Sequence, residues 1–262
     1  MIEPPGTQFW ADARWRDGWR LQRRWDEQTC RLLNPLGRVV CRGSWARCTE
    51  ALEEAQPVAP PIDRLVILLH GLGRTRRSLA RLDRALQEAG FTTARLDYPS
   101  TRMSIQDHAA TLAELLDHVP TPKKLSFVSH SLGGLIIRQL LGHDAPWRSA
   151  VDRIVMIAPP NRGASLAGSL DKGGVMRGIL GPSYGQIAEG FAVTLPVPEV
   201  PVAIFAGDAA GVRGDGLVTV DETRLGGASE HHVVPAIHTF VMNHPSVIRG
   251  AVSFLGGAPD RA

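Results

Sequence analysis

Leu125-Ser126-Phe127-Val128-Ser129-His130-Ser131-Leu132-Gly133-Gly134 is the stretch that decides how this chain folds. Leu125 to Val128 is a short apolar run of the kind that forms a buried strand, and Leu132 to Leu141 has the composition of a helix packed on the same sheet. Ser131 falls at the turn between them. A sharp strand-to-helix turn has no space for bulk, because the serine backbone is strained and the helix passes close by; Ser129, Gly133 and Gly134 meet that need. Ser129 stands where such turns more often have glycine, a mild departure. With a strand before it and a helix after it, Ser131 reads as a nucleophile rather than a structural serine.

Outward from this point the pattern alternates buried strands with amphipathic helices. Leu65 to Leu69 is an unbroken apolar run, suited to a parallel strand covered on both faces. Leu79, Leu82, Leu86 and Ala89 form one face of a helix between Thr75 and Gly90, and Phe91 to Leu96 is the next strand. Ile105, Ala109, Leu112, Leu116 and Val119 make another helical stripe. Strands follow at Ile154–Ala158, Val202–Phe205 and His232–Val234. Repeated βα units with right-handed crossovers predict an α/β fold with a mostly parallel central sheet covered by helices on both faces.

The chain of 262 residues suffices for one such domain plus a small appendage. Residues 1–55 read as that appendage, because five of the six tryptophans lie there (Trp10, Trp15, Trp19, Trp25 and Trp45). Asn34-Pro35-Leu36-Gly37 has the residues of a type I turn between two short apolar runs, so a β-hairpin is expected, with Ser44 capping a helix from Trp45 to Ala55. Packing of these tryptophans onto the main domain is favoured over partner binding, since a hairpin and one helix seldom fold alone. Residues 56–62, with Pro57, Pro60 and Pro61, read as a stiff linker, and 63–262 as the main domain. Between Ala158 and Val202 the chain is rich in glycine and poor in strand signal. Residues 159–198 are therefore expected to form a lid-like insertion over the site.

Hydrophobic residues are 44% of the chain and charged residues 21%, an ordinary globular balance. The net charge of +3 invites a nucleic-acid partner, but only Lys123, Lys124 and Lys172 are lysines and the other 26 of 29 basic residues are arginines scattered among acids. No clustered basic stripe with stacking aromatics follows from that, so no nucleic-acid partner is expected. The opening residues lack a signal-like apolar run, and no stretch of about 18 apolar residues occurs, so a cytoplasmic protein without a transmembrane segment is expected. Transient contact with a membrane and the oligomeric state stay open. Cys30, Cys41 and Cys48 lack metal-ligand spacing and read as reduced structural thiols; no metal site is expected.

A serine hydroxyl needs a base, and of nine histidines His238 follows the Val233–Val234 strand on a loop able to reach above the sheet's C-terminal edge. His244, closer to the last helix, is the weaker candidate. His231 and His232 precede the strand and are expected to be remote. The imidazole in turn needs a carboxylate, for which Asp215, in the glycine-flanked loop Gly214-Asp215-Gly216, competes with Asp208 and is preferred. Asp221 and Glu222 read as solvated. An oxyanion requires two N–H donors: Leu132, just after the nucleophile, and Leu72 in His70-Gly71-Leu72-Gly73. His70 reads as ordering that loop. The glycines there lack the Gly-x-Gly-x-x-Gly spacing and no Walker lysine follows, so no cofactor is implied.

Together, His70-Gly71-Leu72-Gly73, Ser129-His130-Ser131-Leu132-Gly133-Gly134, Asp215-Gly216-Leu217-Val218 and His238-Thr239-Phe240 resemble the bacterial lipase/esterase branch of the α/β-hydrolase superfamily. The resemblance spans about residues 63–256. It implies an α/β-hydrolase fold, Asp215 and His238 as partners of Ser131, and a lid region entered at Ala158-Pro159-Pro160-Asn161-Arg162-Gly163. It also implies cleavage of small-molecule or lipid carboxylic esters through an acyl-enzyme. A thioesterase or acyltransferase using the same three residues is the alternative enzyme, and a catalytically silent interaction scaffold is the alternative outside enzymology.

Overall fold

The computed structural model describes residues 7–166, 174–209 and 211–257. The N-terminal part is larger than one hairpin and a helix. It is a four-stranded antiparallel sheet in the order β1 (Trp10–Arg16), β2 (Trp19–Arg24), β3 (Cys30–Leu33) and β4 (Val39–Gly43), followed by helix α1 (Trp45–Ala55). β3 and β4 are the expected hairpin, closed at Asn34, whose side chain accepts from Arg38 N–H at 3.0 Å. The extra pair, β1 and β2, turns at Asp17-Gly18, where both residues have positive φ (45° and 82°). That is the geometry of a type I′ hairpin turn, whose twist matches the strands it joins. Leu21, Leu32, Cys30, Cys48 and Leu52 form a small core under this sheet. Burial and the neighbouring Cys41 push the Cys48 thiol up to about 12, which keeps it protonated.

The main sheet has the order β10-β9-β8-β7-β5-β6, formed by β5 (Arg64–Leu69), β6 (Thr92–Leu96), β7 (Lys124–His130), β8 (Val151–Ile157), β9 (Val202–Gly207) and β10 (Glu230–Val234). Every pairing is parallel. The unbroken apolar runs are explained by alternation between two faces. Leu65, Ile67, Leu69 and Phe127 enter one core with α3 (Ile105–Asp117) and α4 (Leu132–Leu140). Val66, Leu68 and Val128 enter a second core with α2 (Ala80–Glu88) and α7 (Pro245–Gly256). Between these last two helices in sequence lie α5 (Val175–Leu180) and α6 (Pro182–Ala188), within the expected lid insertion. Its residues 167–173 lie outside the described residues.

Helix ends follow the local chemistry. The expected helix from Thr75 begins as a 3₁₀ turn, Arg76–Leu79: Ser78 N–H donates to Thr75 C=O (3.1 Å), and the Thr75 side chain caps the turn by accepting from Arg77 N–H. Ser104 and Asp107 form a reciprocal capping box at the start of α3. The last strand starts at Glu230 rather than at His232, so His231 also lies inside β10.

Two features of this arrangement locate a site. From β5 the chain crosses to β6 on one side, then returns to β7 on the other, so the segments leaving β5 and β7 diverge at their C-terminal ends. Ligand sites of open α/β sheets lie in that crevice. The N-terminal sheet docks beside it: Trp15 enters the main core, and Asp12 N–H donates to Asp97 C=O (2.9 Å) just beyond β6. No helix among the described residues is long and apolar enough to cross a membrane.

Candidate active site

Ser131 follows β7 with φ 52° and ψ −118°, a conformation that costs a non-glycine residue about 1–3 kcal/mol and is held by its surroundings. Its N–H donates to Ile157 C=O (2.8 Å), and α4 starts at the next residue. A side chain at Gly133 would meet the Leu69 carbonyl at 2.8 Å, so only glycine lets α4 pass the end of β5 this closely. The turn thus lifts the Ser131 hydroxyl above the sheet's edge, 8% exposed.

His238 and Asp215 converge on that hydroxyl from two loops. Asp215 Oδ1 accepts from the N–H groups of Leu217 (3.0 Å) and Val218 (2.8 Å), which turns the second carboxylate oxygen toward His238. His238 Nδ1–H donates to Asp215 Oδ2 at 2.6 Å, and the backbones are joined by His238 N–H to Asp215 C=O (2.9 Å). With Nδ1 carrying the proton, Nε2 presents a lone pair, and the Ser131 hydroxyl donates to it at 3.0 Å. All three residues are buried.

The competing residues lie elsewhere. Asp208 is exposed at the end of β9, with its N–H on Val234 C=O. His244 caps α7, accepting from Ser246 N–H, and His231 bonds to Thr223 Oγ1. Asp221 is solvated and faces Arg162, but Glu222 is not free as expected: its carboxylate accepts from Thr219 N–H (2.8 Å) and Ser165 N–H (2.7 Å), because two loops converge on it.

Leu132 occupies the first position of α4, where a backbone N–H has no intrahelical acceptor. Leu72 lines the same cavity as Ser131, on the loop after β5. That loop is built rigidly. The His70 ring stacks on Tyr98 at 4.0 Å, donating from Nδ1 to Gly71 C=O and accepting at Nε2 from Tyr98 N–H, while Tyr98 Oη donates to His70 C=O. His70 therefore orders the loop.

Three contributors were not foreseen from the sequence. His130 donates from Nε2 to the His238 carbonyl (3.0 Å), tying the loop that carries the imidazole to the turn that carries the serine. Burial, then the charge of His238, holds the His130 pKa well below the usual imidazole range, so this ring is neutral. A side chain at Gly71 would meet His130 Nδ1 at 2.7 Å, so that close approach also requires glycine. Gln8 donates from Nε2 to Arg74 C=O (2.7 Å), and its Oε1 accepts from Ser100 Oγ (2.9 Å) and Thr101 N–H (3.1 Å). Arg74 itself lines the cavity. His130 stood in the quoted motif, but Gln8 and Arg74 carried no local signal.

The cavity beside Ser131 has a volume of about 280 Å³. Its walls are chiefly apolar, with Met176, Leu180 and Ile187 contributed by α5 and α6 and Leu217 and Val218 by the Asp215 loop. Such a site can hold an apolar chain against the serine, exclude water around the His238–Asp215 pair, and present backbone N–H groups to a developing oxyanion.

Solved structures similar to this one include lipase BlEst2 of Bacillus licheniformis in mature form (20% identity, TM-score 0.57, covering 76% of this chain and 93% of that one). The metagenomic carboxyl esterase MGS0156 is similar at 17% identity and TM-score 0.55, with 77% of each chain covered. A thermophilic esterase from Thermogutta terrifontis is similar at 16% identity and TM-score 0.52, covering 75% of this chain and 91% of that one. At these identities the likeness is one of fold, and the fold is that of the α/β-hydrolases. No functionally curated protein sequence matches. At the level of sequence family, a model described as a domain of unknown function (DUF7379) matches residues 40–173, just over half of the chain, and the chain belongs to that family.

Proposed function

We propose that this protein is a serine-dependent hydrolase of carboxylic esters. The observation that carries the reading is the continuous relay from Asp215 Oδ2 through His238 to Ser131 Oγ, with spacings of 2.6 and 3.0 Å, opening on an apolar cavity. In this reading Ser131 Oγ attacks the ester carbonyl carbon as its proton passes to His238 Nε2, and Asp215 stabilises the imidazolium. The N–H groups of Leu132 and Leu72 hold the oxyanion, a contribution worth about 10²- to 10³-fold per donor. The proton on Nε2 goes to the leaving alcohol, an acyl-enzyme on Ser131 remains, and water activated by His238 releases the acid.

The cavity lies just below the roughly 300–1,000 Å³ typical of ligand sites, which favours short and medium acyl chains over long ones. A fluorophosphonate probe tests the reading. The folded protein is expected to be labelled at Ser131, and Ser131→Ala to lose both labelling and hydrolysis of short p-nitrophenyl esters. A folded, unlabelled protein, or full esterase activity after Ser131→Ala, would refute it. Product analysis with added alcohols or amines separates hydrolysis from acyl transfer by the same residues.

A further inference from the structure

Arg74 is the one side chain with a fixed charge among the described residues that line the cavity. Several other arginines are consumed by the fold. Arg76 pairs with Asp97 at 3.2 Å and Arg95 with Asp83 at 2.6 Å. The buried Arg138 spends its guanidinium on the carbonyls of Leu195 (2.6 Å), Pro196 (3.0 Å) and Asn161. Arg74 is half-buried, and no carboxylate of the described residues pairs with its guanidinium, although its backbone is fixed at both ends. Its N–H donates to Gly71 C=O (3.2 Å) and its C=O accepts from Gln8. Its charge also reaches the site: after burial and His238, it is among the influences that keep the adjacent His130 neutral.

From this contrast we infer that the substrate carries an anionic group, a carboxylate or a phosphate, which Arg74 binds while the ester lies at Ser131. The inference rests on the hydrolase reading above and names the substrate class for that site. A guanidinium suits the task because its planar fork makes two parallel hydrogen bonds to a carboxylate or phosphate. In a cavity otherwise walled by Leu72, Met176, Leu180 and Ile187, water competes poorly for that charge, so the pair is stronger than on an open surface. The same cation disfavours an ammonium-bearing ester, and no acidic wall residue offsets it. Selection here is by sign of charge, with the apolar walls selecting chain length.

The anion can sit on the acyl or on the alcohol side of the ester, and two matched substrate pairs distinguish them. On the acyl side, p-nitrophenyl hexanoate is compared with p-nitrophenyl hemiadipate, which has the same six carbons and a terminal carboxylate. On the alcohol side, monobutyrin is compared with butyryl glycerol phosphate, with released acid measured. At least one charged ester is expected to exceed its neutral partner in kcat/KM. Arg74→Gln is expected to lower that charged-to-neutral ratio about ten-fold or more, Arg74→Lys to keep part of it through charge alone, and 0.5 M salt to shrink it. The inference is overturned if neither charged ester is preferred, or if Arg74→Gln leaves the ratio where it was. Fluorophosphonate labelling of Ser131 in the same preparations keeps the two claims apart. A labelled enzyme without charge preference refutes the role of Arg74 alone, whereas a folded, unlabelled one refutes the hydrolase reading beneath it.

Discussion

Gln8 donates from Nε2 to the carbonyl of Arg74 at 2.7 Å, joining the N-terminal part of the chain to the loop that carries Leu72. The same side chain closes a second path, since Gly73 N–H donates to Ser100 Oγ (2.9 Å) and Ser100 Oγ donates to Gln8 Oε1. The peptide groups on the far side of Leu72 are thus pinned from two directions, and a short loop pinned in this way holds its N–H groups where they point. Gln8→Leu removes the bond to Arg74 and the anchor of Ser100 without touching Ser131, His238 or Asp215. It is expected to lower kcat by about ten-fold, a fraction of the loss expected for an oxyanion donor itself, with KM changed by less than about two-fold. Steady-state kinetics on a short ester checks this; a rise in KM with unchanged kcat contradicts it.

Asp215 and Asp208 competed as the carboxylate partner of the imidazole, and the geometry separates them. Asp215→Asn keeps the shape but turns an acceptor into a donor, favouring the wrong tautomer of His238. A fall in kcat of about 10³- to 10⁴-fold is expected, with the melting temperature little changed. Asp208→Asn, at an exposed loop position, is expected to leave kcat within about two-fold. Equal losses in the two variants would mean that the pairing at 2.6 Å is not the functional one.

Burial and the charge of nearby His70 push the His108 pKa down to about 3. Its folded pKa therefore lies below its unfolded value near 6.5, so the unfolded chain takes up a proton at pH 5 that the folded one does not. The stability associated with keeping this ring neutral is present above pH 6.5 and is lost as pH falls toward 3. Between pH 7 and pH 5 the loss amounts to about 2 kcal/mol for this one histidine. Urea unfolding of the wild type and of His108→Leu at both pH values is expected to show that much less pH dependence in the variant. Parallel pH profiles would count against it.

Much of the main domain was legible because its signals are local. Leu65 to Leu69 and Leu125 to Val128 are apolar without interruption, and Ser129, Gly133 and Gly134 identify the turn around Ser131 whatever lies elsewhere in the chain. The N-terminal sheet was half legible for a physical reason. Asp17-Gly18 is a strong hairpin signal, but the strands beside it do not alternate: Ala11, Asp12 and Ala13 are buried in succession, as are Arg20, Leu21 and Gln22. Nothing local marks Asp12 and Arg20 as buried, because their partner, Asp97, is brought to them from 85 and 77 residues away. The same distance in sequence hid Gln8 and Arg74. Their roles are set by what the fold places beside them, 66 residues apart in one case, and no local pattern encodes that.

The cluster around Arg20 supports a test of how firmly the N-terminal sheet is attached. Arg20 Nη1 donates to Asp97 Oδ2 at 3.0 Å and to the Asp12 carboxylate at 3.4 Å, and Asp12 also accepts from Asp97 N–H at 2.7 Å. Asp12 is buried, and burial raises its pKa against the opposing charge of Arg20. Replacing Arg20 by Met fills much of the same space but leaves that carboxylate without a counter-charge. A destabilisation of about 3 kcal/mol or more is expected, lowering the melting temperature by roughly 6–12 °C. Adding Asp12→Asn to Arg20→Met is expected to return part of the loss, because the amide removes the uncompensated charge while keeping an acceptor for Asp97 N–H. Independent, additive losses in the double variant would show that the two residues do not act as a pair.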